Sequence, residues 1–196
     1  MISSIVLAAG MSTRMGQLKA LLDWGGEPLV CYQVRQLREA GADEVIVVLG
    51  YRSDEIHRRM KTAECRVMLN PRFHTGRAGS LRIGAKASDR NADPIVVVNV
   101  DQPATAAVIR ALLEAHAPEA AATRPVHDGR HGHPIVVAGA LRPELLEADE
   151  AERGLDGILK RHAGAVRDVP AGPECLLDLN TPGDYESAHA ATHAPA

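Results

Sequence analysis

Ile95-Val96-Val97-Val98 is an unbroken β-branched stretch inside the segment Pro94–Val100. It offers no polar face, so a strand made from it must be covered on both sides, as in a parallel sheet layered with helices. Ile2–Ala8, Glu44–Leu49 and Arg66–Leu69 have the same character. Between these runs the apolar period changes. Leu29, Val30, Val34 and Leu37 recur at helical spacing, with Gly41 as a stop. Ser53 precedes Asp54 and Glu55, which predicts a capped helix with acids at its positive end. Ser80 opens another helix, and Thr105 starts one that runs to about Ala117. This alternation predicts an α/β layered fold. The second half is less regular. Strands are expected at Ala120–Thr123, Pro134–Ala138 and Cys175–Leu179, and helices at Leu141–Glu147, Gly154–Arg161 and Pro182–Ala190. A mixed sheet with at least one antiparallel strand follows.

The chain has 196 residues, 45% of them hydrophobic and 24% charged. That predicts one domain over residues 1–196, with enough core to fold without staples and a frayed tail at Thr192–Ala196. A net charge of −3 lacks the basic surplus of a non-specific nucleic-acid binder, so no nucleic-acid partner is expected. Cys31, Cys65 and Cys175 form no CxxC pair, and an odd count does not fit a disulfide scaffold. Met1–Leu7 lacks a basic start, and no apolar run approaches the roughly 20 residues that span a bilayer. The cytosol is the expected compartment, with no membrane partner.

The first strand ends in Leu7-Ala8-Ala9-Gly10-Met11-Ser12-Thr13-Arg14-Met15-Gly16-Gln17-Leu18-Lys19. Small residues at 8–10 let a ligand approach the backbone, and Gly10 and Gly16 suit turns. Exposed N–H groups in such a loop favour an anion, and Arg14 and Lys19 add positive charge. Neither a Walker A loop nor GxGxxG is present. On chemistry alone a solvated surface loop competes with a phosphate cradle.

Three later segments carry further polar constellations. Asn99-Val100-Asp101-Gln102-Pro103 follows the strongest strand; Asp101 can hold Mg²⁺ against phosphate oxygens or simply shape a turn. In Asp178-Leu179-Asn180-Thr181-Pro182 the acid and the amide would share a side if the preceding strand continued, while Thr181 and Pro182 also read as a helix start. His127, His131 and His133 crowd a short segment. Three histidines invite a zinc reading, but the intervening glycines leave the geometry unfixed and favour a polar loop.

The first-turn segment resembles the LAAGxSxRMGxxK signature of the MobA-like nucleotidyltransferases. Leu7, Ala8, Ala9, Gly10, Ser12, Arg14, Met15, Gly16 and Lys19 all match, and Gly26-Glu27-Pro28-Leu29 is also similar to that family. Asn70-Pro71 to Gly76-Arg77-Ala78-Gly79-Ser80-Leu81 resembles the NPxxxxGxxxSL segment of its cytidylyltransferase branch. The resemblance runs from the first strand to the helix after Pro182 and is strongest to the molybdenum cofactor cytidylyltransferase group.

That resemblance implies a three-layer α/β/α Rossmann-like nucleotidyltransferase fold with a mostly parallel mixed sheet. It implies transfer of a cytidylyl group from CTP to molybdopterin phosphate, with Mg²⁺ as cofactor. It further implies Arg14, Lys19 and Asp101 as catalytic residues, and Leu7, Ala8, Ala9, Gly10, Ser12, Asn70, Gly79 and Ser80 as nucleotide contacts beside them. Gly132-His133-Pro134 matches the family's Gly-His-Pro motif, which gives His133 to the acceptor. Asp101 and Asn180 become the metal ligands, with Asp178 open as the alternative second ligand, since the family usually has DxDTP where this chain has Asp178-Leu179-Asn180-Thr181-Pro182. Glu152-Arg153-Gly154-Leu155-Asp156 is only a loose echo of the family's DxGAR. GTP or a different acceptor stays open as an alternative. So does an oxidoreductase on the same scaffold, since relatives of the group include proteins assigned as nicotine blue oxidoreductases. A molybdoenzyme or its maturation chaperone is the macromolecular partner implied.

Overall fold

The computed structural model describes residues 1–193. The first half builds four parallel strands: β1 (Ser3–Ala8), β2 (Glu44–Leu49), β3 (Arg66–Leu69) and β4 (Ile95–Asn99). They are linked by α1 (Leu29–Glu39), α2 (Ser53–Arg59) and α3 (Ala78–Ala87), and α4 (Ala106–Ala115) follows β4. The second half supplies β5 (Ala122–His127), β6 (Arg130–His131), β7 (Ile135–Val137) and β8 (Val166–Pro170), with α5 (Arg142–Leu146), α6 (Leu155–Arg161) and α7 (Pro182–His193). The sheet order is β3-β2-β1-β4-β7-β5-β6, with β8 paired to β5. β7 runs antiparallel to both β4 and β5, so the sheet is mixed but mostly parallel in its first half.

The reason for the unbroken Val and Ile runs is visible in the packing. Val6, Val45, Val47, Val96 and Val98 face one layer, with Leu29, Val34 and Leu37 of α1 and Ile109 and Leu112 of α4. Ile5, Ile46, Val48, Ile95 and Val97 face the other, with Leu81 and Ala85 of α3, Leu145 of α5 and Ile158 of α6. Adjacent residues of one strand therefore feed two different cores, which is the period of two expected of a sheet buried on both faces. Each buried Val, Leu or Ile side chain contributes about 1.5–3 kcal/mol by leaving water, so the central strands anchor everything attached to their ends.

Several local expectations are corrected. Cys175–Leu179 is not a strand: Pro173–Leu176 forms a 3₁₀ turn and the chain then crosses irregularly to α7. The edge partner of β5 is instead β8, whose residues are half-buried or exposed and carry little apolar signal. Ser53 is not a cap. The residue before α2 is Arg52, at φ 50°, with no side-chain cap. α3 begins at Ala78 rather than Ser80. Thr105 does cap α4, its hydroxyl accepting from Val108 N at 3.3 Å. Thr181 likewise accepts from Asp184 N at 3.2 Å, with Pro182 as the first residue of α7. Of the tail expected to fray, Thr192 and His193 belong to α7, where His193 packs edge-on against Trp24; residues 194–196 lie outside the described residues.

Candidate functional site

The carboxyl ends of β1 and β4 lie side by side, Leu7 pairing with Asn99. The loop after β1 turns sharply there. Ser12 has a left-handed φ of 56°, and its carbonyl accepts from Met15 N and Gly16 N. Its hydroxyl accepts from Lys19 N at 3.1 Å, so Ser12 fixes the turn that delivers Lys19. Among the described residues, the backbone N–H groups of Gly10 to Arg14 donate no hydrogen bond. Successive open N–H groups of this kind form a seat for an anion.

Lys19 is the pivot of the site. It is only 9% exposed, and its Nζ donates to Asp101 Oδ2 at 2.8 Å and to Asn180 Oδ1 at 3.0 Å. Arg14 donates to the same amide oxygen at 2.9 Å. Residues from three separate stretches of the chain thus meet at one point.

Two devices hold Asp101 and Asn180 there. The N–H of Leu179, itself fully buried, donates to the carbonyl of Asp101 at 2.9 Å. Beneath the loop, the buried Gln33 of α1 donates through Nε2 to the carbonyls of Gln102 (2.8 Å) and Asn99 (3.3 Å), on either side of Asp101. Its Oε1 accepts from Ala104 N at 3.4 Å. The sequence reading missed Gln33; a glutamine among the apolar positions of α1 was the available signal.

Around this point lies a cavity of about 230 Å³. Leu7, Ala8, Ala9, Gly10, Ser12, Arg14, Lys19, Ser80 and Asp101 all line it, as do Gly76, Arg77 and Asn99. Two expected nucleotide contacts lie elsewhere. Asn70 is 3% exposed and brackets the backbone: its Nδ2 donates to Ser80 Oγ at 2.9 Å and its Oδ1 accepts from Arg72 N at 2.9 Å. Asn70 and Gly79 line a separate cavity with Arg72, Arg82 and Lys86. Asn70 therefore acts on the main cavity through Ser80.

A second cavity, of about 250 Å³, adjoins the first and is lined by His133, Gln102, Arg153, Asp156 and Asp178 among others. Leu7, Arg77 and Asn99 belong to both walls. Asp178 and Asn180 do not share a side: Asp178 lines the second cavity, while Asn180 meets Arg14 and Lys19 at the first. The segment is not a strand, so the expected alternation does not apply. His133 is held in place because its N–H donates to Cys175 O at 2.9 Å, and Gly132 lets that carbonyl approach: a Cβ there would sit 2.4 Å from it. Burial pushes the His133 imidazole below the usual histidine range, against the pull of Asp178, Asp156 and Asp101.

The three histidines do not converge. His127 Nδ1 pairs with Ala171 O, and His131 meets Arg124 and Asp168. Among the described residues no group of three or more His, Cys, Asp or Glu is arranged to hold a metal. The donors that fit a hard divalent cation are Asp101 and Asn180. Their oxygens already converge on a cationic group, the Lys19 ammonium. One or two protein oxygens, completed by phosphate and water, is how magnesium is usually held.

Residues 4–166 match the MobA-like NTP transferase domain family. The chain belongs to that family. It is 26% identical over 189 residues to the molybdenum cofactor cytidylyltransferase of Escherichia coli (strain K12), covering 95% of each chain. It is 29% identical over 168 residues to the nicotine blue oxidoreductase of Paenarthrobacter nicotinovorans, covering 82% of each. Among solved structures, a Mycobacterium tuberculosis H37Rv protein in complex with manganese superposes with a TM-score of 0.77 at 25% identity, covering 95% of this chain and 97% of that one. The α/β Rossmann-like nucleotidyltransferase fold expected from the MobA-like resemblance is therefore the fold observed. Among the described residues, no helix is long and apolar enough to cross a membrane.

Proposed function

We propose that this MobA-like transferase joins CTP to molybdopterin phosphate, giving molybdopterin cytosine dinucleotide and pyrophosphate. The observation that carries the reading is the meeting of Lys19, Asp101 and Asn180 beside a loop of open N–H groups. The E. coli cytidylyltransferase relative, matched over 95% of both chains, supports the choice of nucleotide and acceptor.

In this reading an acceptor phosphate oxygen attacks the α-phosphorus of CTP. The bond from that phosphorus to the oxygen bridging the β-phosphate breaks, and pyrophosphate leaves with that oxygen. The attacking oxygen is already anionic, so no strong general base is needed. The obstacle is repulsion between two anions, and the groups required are cations and oriented N–H donors. Arg14 and the N–H groups of Gly10 to Arg14 bind the leaving pyrophosphate. Lys19 turns from Asp101 to the α-phosphate as charge develops there. Ser80, Leu7, Ala8, Ala9 and Ser12 shape the nucleotide seat, and His133 meets the acceptor. Asp101 and Asn180 would hold Mg²⁺, which supplies charge neutralisation and alignment when bound. The manganese complex of the mycobacterial neighbour supports a divalent-metal requirement. The cytosol is the proposed compartment, and a molybdoenzyme or its chaperone would receive the product.

The test is pyrophosphate release with each NTP, with and without molybdopterin. Release confined to CTP plus molybdopterin and a divalent cation is expected; release with GTP alone as nucleotide overturns the specificity. The nicotine blue oxidoreductase relative favours a second reading, redox chemistry on the same scaffold. The lack of GxGxxG in the first turn counts against it. Oxidation of a reduced nicotinamide cofactor coupled to reduction of an organic acceptor, with no nucleoside triphosphate present, would favour it.

A further inference from the structure

Arg77 stands on the wall between the two cavities and, among the described residues, is the one charged residue that lines both. Arg77 is exposed, and among the described residues no side-chain hydrogen bond or ion pair engages its guanidinium. The other cations nearby are engaged: Arg14 donates to Asn180, Lys19 to Asp101 and Asn180, and Arg153 lies 3.3 Å from Asp156. Burial of His133, across the second cavity, disfavours its charged form.

The position of Arg77 is built rather than accidental. It is the last residue before α3, and Gly76 before it takes a φ of 115°. A Cβ at Gly76 would lie 2.1 Å from the Glu150 carboxyl carbon, and that carboxylate accepts from Ala78 N at 2.7 Å. Glu150 therefore pins the chain on one side of Arg77, from the loop that also carries Arg153.

We propose that Arg77 seats the anionic group of the acceptor. This inference rests on the nucleotidyl-transfer reading of the site. A guanidinium fork matches two phosphate oxygens. At the shared wall it brings the attacking oxygen toward the α-phosphorus while leaving the donors of the triphosphate seat to the nucleotide. Asp156 and Asp178 line only the second cavity. Asp156 is paired there with Arg153 at 3.3 Å, and the exposed Asp178 repels a phosphate beside it, which favours the anion at the shared wall.

The test uses phenyl phosphate as probe, titrated by phosphorus NMR into the protein saturated with the α,β-methylene analogue of CTP and Mg²⁺. The wild type is expected to bind it, and Arg77→Gln to bind it about tenfold or more weakly, the usual consequence of losing a charge-assisted pair. Arg77→Lys, which keeps the charge without the fork, should recover part of that loss. Affinity for the CTP analogue, read by calorimetry, should stay unchanged in both variants. Equal phenyl phosphate affinity in wild type and Arg77→Gln overturns the assignment, as does no binding to the wild type. Parallel loss of analogue and probe would give Arg77 to the nucleotide instead and also overturn it. A wild type that fails to bind the CTP analogue sinks the nucleotide reading, and the acceptor assignment with it.

Discussion

The N–H of Leu179 donates to the carbonyl of Asp101 across 2.9 Å, and this bond brings Asn180 to the end of β4. Two residues far apart in the chain thereby share the Lys19 ammonium. The consequence is a site whose parts can be perturbed one at a time.

Lys19→Ala should lower turnover by roughly 100-fold or more, the scale seen when a donor aimed at developing charge is removed. Pyrophosphate release and a thermal melt in parallel check this. A melt that falls as steeply as the rate would make Lys19 structural.

Asn180→Asp adds a second carboxylate oxygen beside Asp101. It should lower the Mg²⁺ concentration for half-maximal activity several-fold, since affinity for a hard cation rises with ligand charge. Manganese binding followed by electron paramagnetic resonance is the direct measurement. Unchanged affinity would remove Asn180 from the metal site.

Gln33→Leu leaves the carbonyl of Gln102 without its buried donor and the carbonyl of Asn99 with only the Gln102 N–H. Stability should fall by about 1–3 kcal/mol. The effect should extend to weaker metal binding, because the loop carrying Asp101 loses its support. Urea unfolding and the same manganese titration separate the two effects.

Gly76→Ala places a side chain at a φ of 115° and against the Glu150 carboxylate. A cost of about 1–3 kcal/mol is expected from the backbone conformation. Denaturant midpoints of Gly76→Ala and Glu150→Ala, alone and combined, would show coupling between the two positions.

Burial lowers the pKa of His133 and of His116 in the folded state. The unfolded chain therefore binds more protons than the folded chain between each folded value and the ordinary histidine range. Stability is full above that range and declines as pH falls through it, ceasing to decline below the folded pKa. Melting temperature against pH, with imidazole titration by NMR, should show this slope. His116→Asn and His133→Asn should each reduce it.

Much of the first half was legible in the sequence. The runs in Ile2–Ala8, Glu44–Leu49 and Pro94–Val100 are unambiguous because each strand is buried on both faces, so one composition serves both sides. The turn from Gly10 to Lys19 was legible because small residues and glycines at short spacing mark a sharp loop after a strand. β8 was not legible. It borders the sheet half-exposed, and Val166–Pro170 carries as much charge as apolar character.

The division has a physical basis. Local periodicity and loop chemistry, which act over a few residues, determined the α/β layering, the open-amide turn after β1 and Asp101 just past a strand end. Contacts between distant segments decided the rest. Leu179 N–H reaching Asp101 separates Asn180 from Asp178, Asn70 turns inward to Ser80, and Gln33 supports the loop from below. Nothing in the spacing of a single segment encodes such pairings, because each buried polar group is satisfied only when another part of the chain has folded against it.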